Sequence, residues 1–427
     1  MPRQPRYNLT ATLIALALLA TAAPARAFDL QRAIDDAVPH DTIRVPAGTH
    51  VGTVRIDKPL TLIGADGAIL DGNSVGDVVK IEAPDVTLRH FTIQSTGLSL
   101  DRENAGVTVL GARARIEHNT FRDVLFGVYL KEAPGTVIRH NDIGGKDVDI
   151  ARRGDGIRLW YSNDCTITDN QVHHSRDVVM WFSDRVRLER NTVTHGRYGL
   201  HFMYSDGNVI VDNVLRDNSV GAFLMYSSNL TLKRNRFIRN RGPSGYGIGL
   251  KDMDGITAED NRFLGNRIGI YLDNSPSSVD ITHRFERNLL AYNDIGIAFQ
   301  PLVKRNRFTR NTFLENIEQV AVYGDGTFAG GNDFTVAGQG NFWSDYTGYD
   351  RDGDGLGDIE YRAESLFENL MDRQPSLRLF LFSPAQQAVE LASEAFPAFR
   401  PRPKLTDTAP LMRPVGLDAA PLKTRRH

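Results

Sequence analysis

A chain of 427 residues with 50 Lys and Arg against 52 Asp and Glu carries a net charge of −2, which gives no support for a nucleic-acid partner. Its single cysteine, Cys165, excludes an intramolecular disulfide and reads as a buried, inert thiol in Asp164-Cys165-Thr166-Ile167. Only residues 1–27 hold a run as apolar as a targeting segment needs, and that run is short for a membrane span.

In residues 1–27, Arg3 and Arg6 precede the apolar run Leu13 to Leu19, and Ala25-Arg26-Ala27 is a small-x-small cleavage site. Export with cleavage before Phe28 is expected; an uncleaved anchor is the alternative. From Phe28 to Val38 the apolar residues Leu30, Ala33, Ile34, Ala37 and Val38 fall at helical spacing. A short helix there would cap the open end of a solenoid.

Residues 28–340 read as that solenoid. Short strand patterns such as Thr42-Ile43-Arg44-Val45 and Leu60-Thr61-Leu62-Ile63-Gly64 lead into a repeat. Its clearest copies are Gly156 to Ser162, Gly199 to Ser205, Gly221 to Ser227, Gly247 to Lys251 and Gly269 to Asp273, with a degenerate copy at Asp177 to Ser183. Each copy is followed by an Asn: Asn170, Asn191, Asn213, Asn235, Asn261 and Asn288, at spacings of 21, 22, 22, 26 and 27 residues. A fixed period of this length marks a solenoid. Within a copy the apolar residues alternate at strand period, as Ile157, Leu159 and Tyr161 do against Arg158 and Trp160. The fold class is therefore all-β, a parallel β-helix. The asparagines suit its left-handed corners and are expected to bond to one another up the axis as a structural ladder. Asn119 and Asn141 extend the series backwards. The charged stretch Gly144 to Gly154 reads as an exposed insertion.

Residues 341–365 differ. Asp350, Asp352 and Asp354 followed by Gly355 match the opening of a calcium loop, with Asp358, or alternatively Glu360, as a further candidate ligand. Position twelve is Tyr361, so no complete EF-hand is present, and a metal-free turn ending the solenoid is the competing reading. In 366–396 an apolar segment precedes a helix from Ala385 to Phe396, with Ser383 as N-cap and Pro384 at its first position. It reads either as a cap or as a docking element for a membrane partner. Five prolines from Pro397 to Pro414 make 397–427 a flexible tail.

Aligning the copies gives two outward ladders on one sheet. One runs Tyr129, Arg158, Val179, His201, Phe223, Gly249, Tyr271; the other runs Lys131, Trp160, Trp181, Met203, Met225, Lys251, Asp273. Rungs of paired strands lie about 4.8 Å apart. Met203, Met225 and His201 would then present two thioethers and an imidazole within about 5–7 Å, a donor set that favours Cu(I) over Mg²⁺ or Ca²⁺. Trp160, Trp181 and Phe223 beside them read as a partner surface, and the methionines would serve that role equally well. His173 and His174 are adjacent, are expected to point to opposite faces, and are weaker metal candidates. The rival class is a polysaccharide lyase or epimerase acting on uronic-acid polymers. It needs a carboxylate cluster or metal with a base nearby, and the central rungs carry no carboxylate.

The Lys58 to Gly64 coil, the copies at Gly199 to Ser205 and Gly221 to Ser227, and the block Asn341 to Asp358 with Trp343-Ser344-Asp345-Tyr346 resemble the NosD family of accessory proteins for nitrous oxide reductase maturation, over nearly the whole exported chain. The resemblance implies a right-handed β-helix used without sugar chemistry and a periplasmic location. It implies partnership with an ABC-type permease and ATPase, a copper chaperone lipoprotein and nitrous oxide reductase, and a role in supplying copper or sulfur to the reductase's copper–sulfide centre. ATP hydrolysis would belong to the partner, since no Walker-type loop appears in this chain.

Overall fold

A computed structural model describes residues 28–324, 331–396 and 403–416; the expected targeting segment 1–27 and parts of the tail lie outside them. Each coil contributes three short strands, and each strand pairs in parallel with its counterpart one coil on, building sheets of twelve, thirteen and twelve strands. This is the expected parallel β-helix. Helix α1 (Leu30–Asp36) closes the first coil by burying Leu30 and Ile34, and Asp29 caps it by accepting the Arg32 N–H at 3.0 Å.

Strand alternation sends every second side chain inward, and parallel register stacks those side chains in columns. In the second sheet one column runs through Ile143, Val172, Val193, Leu215, Phe237, Phe263, Leu290, Phe313 and Trp343. All of these are buried. The aromatic members stack flat, Phe237 on Phe263 at 4.9 Å and Phe313 on Trp343 at 4.1 Å. Cys165 lies in the same core, and burial pushes its thiol up to about 12, so it stays protonated.

The asparagines run unbroken from Asn119 to Asn341. Asn191, for example, donates both its backbone N–H and its side-chain amide to the Asn213 carbonyl oxygen, at 2.9 and 3.0 Å. One detail differs from the sequence reading. The left-handed corner is taken by the residue before each Asn from Asn119 to Asn311, as at Asp169, Arg190, Asp212 and Arg234. A left-handed non-glycine residue costs about 1–2 kcal/mol, and the buried asparagine amides offset it by satisfying the corner backbone. The corner side chains pair along the outside, Arg190 with Asp169 and Arg234 with Asp212, each at 2.7 Å. A second ladder, Asn218, Asn240, Asn266, Asn293 and Asn316, occupies another corner.

The far end is closed by helix α2 (Leu366–Arg373), which buries Phe367 and Met371, and by residues 403–416. The tail expected to be flexible is in this part packed. Thr406–Asp407 pairs antiparallel with Tyr361–Arg362. The Asp407 carboxylate accepts the Asn341 N–H at 2.7 Å and the Trp343 indole N–H at 2.9 Å, so it terminates the ladder. Buried Lys404 pairs with Glu318 at 2.6 Å and Asp372 at 2.7 Å. Prolines restrict the backbone without preventing such packing.

Asn213→Ala would leave the buried Asn191 N–H without an acceptor, and should lower stability by about 2–3 kcal/mol in denaturant unfolding; a change below about 0.5 kcal/mol would contradict the ladder's role. His283 is fully buried and accepts the Ile256 N–H at Nδ1 (2.8 Å), and burial pushes its pKa down to about 3. Unfolded His283 binds a proton near pH 6.5 while the folded form does not, so stability present above that pH is lost as pH falls towards 3. His283's own share of the stability change from pH 7 to pH 5 is about 2 kcal/mol, read as the difference between the pH profiles of wild type and His283→Asn. Asn is the replacement because Asn306 holds the same position one coil on.

Candidate functional site

The outer face of the third sheet is set by six consecutive strands. They are Phe126–Lys131, Ile157–Trp160, Asp177–Trp181, Tyr198–Met203, Val220–Met225 and Tyr246–Lys251. Their inward residues, among them Leu159, Met180, Phe202 and Leu224, are fully buried. The outward residues fall into register as two ladders. Arg158 pairs with Val179, Val179 with His201 and His201 with Phe223. Trp160 pairs with Trp181, Trp181 with Met203 and Met203 with Met225.

Met203 and Met225 are half-buried neighbours on adjacent rungs. Trp181 stands edge-on to Trp160 at 6.1 Å and to the His201 ring at 5.5 Å. Phe223 meets Tyr198 at 5.6 Å, and Tyr198 meets His201 at 5.1 Å. His201 is therefore walled by aromatic rings and only 5% exposed. Its Nδ1 lies 3.4 Å from an Asp177 carboxylate oxygen, yet neither ring nitrogen makes a well-formed hydrogen bond, and the Trp181 indole N–H also has none.

These rungs carry no carboxylate of their own, but a carboxylate cluster absent from the sequence reading lies directly beside them. Asp177, 2% exposed, accepts from Arg197 at 3.0 Å and from the Tyr198 N–H at 3.1 Å. Burial alone would raise its pKa, but the facing His201 ring and the Arg197 guanidinium outweigh that and hold it below the usual range. Asp155 lies beside it, and burial together with the Asp177 charge pushes it up to about 7. Arg158 links this group to Glu103 at 3.0 Å and lies over the Trp181 ring at 5.0 Å. Sequence alignment missed the cluster because a register shift between Asp177 and Val179 displaces Asp177 from the ladder, while Asp155 and Glu103 lie before their strands.

Tyr161 is also placed differently from expectation. It occupies a left-handed corner and is 52% exposed rather than inward. With Phe182, Tyr204 and Tyr226 it forms a continuous stack at 4.8, 5.2 and 5.1 Å, beside the Trp160–Met225 ladder. Stacking spends the ring faces on one another, so the rim shows ring edges and suits a protein partner better than a sugar ring. The signal was present as an aromatic at the sixth residue of four copies.

Elsewhere, Asp350, Asp352 and Asp354 bring one carboxylate oxygen each within 4.8 Å of one another. Asp350 accepts the Gly353 and Gly355 N–H groups at 2.7 and 2.9 Å, which folds the loop. Asp358 instead accepts the Arg351 N–H at 2.7 Å and stands outside this group. Helix α3 (Pro384–Ala395) is capped by Ser383, and much of its apolar surface is open: Leu391 is 65% exposed and Phe382, just before it, 77%. Among the described residues no helix is long and apolar enough to cross a membrane.

The family described as periplasmic copper-binding protein (NosD) matches residues 139–348. A probable ABC transporter binding protein NosD of Pseudomonas aeruginosa is 32% identical over 388 residues, covering 88% of this chain and 89% of the relative. One of the same description from Stutzerimonas stutzeri is 30% identical, covering 87% and 86%. Among solved structures, the A-module of the Azotobacter vinelandii mannuronan C-5 epimerase AlgE6 covers 71% of this chain and 93% of its own, with a TM-score of 0.55 at 15% identity. A mannuronic acid specific family 6 lyase from human gut microbiota covers 86% and 96%, with a TM-score of 0.51 at 14% identity. At these identities the two sugar enzymes share the fold and nothing more. The sustained identity to the two NosD relatives, over nearly nine-tenths of the chain, places it in the NosD family.

Proposed function

We propose that this chain is the periplasmic component of an ABC-type complex that helps assemble the copper–sulfide centre of nitrous oxide reductase. It receives Cu(I) from a chaperone lipoprotein and presents it to the reductase. The carrying observation is the adjacency of Met203 and Met225 beside the ring of His201, whose nitrogens make no well-formed hydrogen bond although Asp177 lies 3.4 Å from Nδ1. Two thioethers and an imidazole bind Cu(I) in preference to hard cations. The walling rings exclude water and oxidant from a soft ion held there. The aromatic rim from Tyr161 to Tyr226, with Trp160, Trp181 and Phe223, is the docking surface for the proteins that deliver and accept the metal.

The family description and the relatives' names support the copper and ABC-transporter parts of this reading. ATP hydrolysis belongs to the partner ATPase. The exposed face of α3, with Phe382 and Leu391, docks on the permease and holds the protein at the membrane. The Asp350, Asp352 and Asp354 oxygens fit a hard cation such as calcium, whose role here would be to stiffen the loop.

The Asp177–His201–Arg197 cluster gives the lyase or epimerase reading a base and a carboxylate. Those groups are 2% and 5% exposed at Asp177 and His201, beneath Tyr198, Phe223 and Trp181, so a polymer lying along the outer groove does not reach them.

Competition against a chromophoric Cu(I) chelator should show binding by the wild type that falls at least tenfold in Met203→Ala/Met225→Ala, alone or with the chaperone present. Equal binding in both would make the methionines a contact surface only. Separately, Phe382→Asp/Leu391→Asp should abolish co-purification with the permease while leaving Cu(I) affinity unchanged; retained co-purification would remove α3 from the docking surface.

A further inference from the structure

His173 and His174 do not point to opposite faces. His173 ends the strand Gln171–His173, whereas His174 takes a left-handed corner (φ 54), which swings its side chain back alongside. The two rings stand at 86° with centroids 5.3 Å apart, and their Nδ1 atoms converge to 3.1 Å.

Three neighbours fix this arrangement. Asp142 Oδ1 lies 3.2 Å from His173 Nε2. An ionised carboxylate only accepts, so Nε2 carries the ring proton and the His173 Nδ1 lone pair accepts the His174 Nδ1–H; metal uptake between the two Nδ1 atoms shifts that proton to His174 Nε2. His195 stacks on His174 at 5.0 Å with the rings parallel to within 2°. Gly144, the register partner of His173 one coil below, leaves the room: a Cβ there would approach His173 Cε1 at 2.8 Å. The same ladder carries Thr194, Arg216, Ile238 and Leu264 on later coils, so glycine at this rung is particular to the imidazole.

We propose that His173 and His174 form a second metal site, separate from the methionine ladder, for a divalent ion of borderline softness such as Cu²⁺ or Zn²⁺. Their Nδ1 atoms are the ligands, and Asp142 and His195 are positioning residues. Metal–nitrogen bonds of about 2.0–2.1 Å across the 3.1 Å separation subtend about 100° at the ion, between square-planar and tetrahedral values. A carboxylate behind a ligating imidazole raises its basicity and fixes its tautomer. His173 is 39% exposed and His174 is exposed, so water completes the coordination sphere. This inference does not rest on the Cu(I) reading of Met203 and Met225.

The test is equilibrium dialysis of the purified protein against Cu²⁺ and, separately, Zn²⁺, with electron paramagnetic resonance of the bound Cu²⁺. One equivalent should be lost in His173→Ala/His174→Ala and kept in Met203→Ala/Met225→Ala. That equivalent should show two nitrogen couplings. Asp142→Asn should weaken it by about 10–100-fold, and Gly144→Ala should weaken it without removing a nitrogen. Both histidines lie at the surface, so an unchanged unfolding midpoint keeps the loss attributable to the ligands. The proposal is overturned if wild type retains no divalent ion, if the double variant retains as many equivalents as wild type, or if the lost equivalent shows fewer than two nitrogens.

Discussion

Every feature of this molecule depends on the buried asparagine ladder that holds one coil in register with the next. Each coil must turn sharp corners, and many of those corners force a charged or aromatic residue into the left-handed region. That conformation is unfavourable and strands backbone N–H groups in the interior. An asparagine at the following position answers both problems. Its carbonyl oxygen accepts the N–H of the Asn one coil back, and its amide reaches a carbonyl of the coil beneath. Because every Asn serves the coil before it, register cannot slip at one rung without breaking bonds at two. Asp407 supplies the last acceptor, so the returning tail completes the ladder.

Fixed register turns a repeated sequence into a ruler. Residues at the same position in successive copies stand one strand spacing apart on the outside, whatever their chemistry. A pair of methionines becomes two neighbouring thioethers, a pair of tryptophans an edge-to-face contact, and four corner aromatics a stacked rim. A platform of this kind holds donor atoms at set distances without a folded pocket. The cost is that polar groups beneath the aromatic layer need partners of their own. The Asp177, Arg197, Arg158 and Asp155 network supplies most of them. His201 and the Trp181 indole are left with unmet hydrogen-bonding capacity facing the same layer.

Both outward ladders were legible in the sequence, because period-two alternation and a common copy length determine which residue meets which. The Asn series was legible for the same reason, although its place next to the left-handed corner, rather than in it, was not. What could not be read were contacts outside the repeat grammar. Asp177 sits at a register shift, Glu103 precedes its strand by two residues, and Lys404 reaches Glu318 across 86 residues of chain. His173 and His174 were misplaced because strand alternation was extended one residue past the end of the strand. Tyr161 was misplaced by the same step. In each case the corner geometry decided the side-chain direction.

If soft donors on the outer face of the third sheet hold Cu(I), the metal's own coordination shell must show them. X-ray absorption at the copper edge of the Cu(I)-loaded protein tests it most directly. Two sulfur scatterers with at most one nitrogen are predicted, since Met203, Met225 and His201 are the donors gathered there. A shell of nitrogen and oxygen alone would contradict the claim.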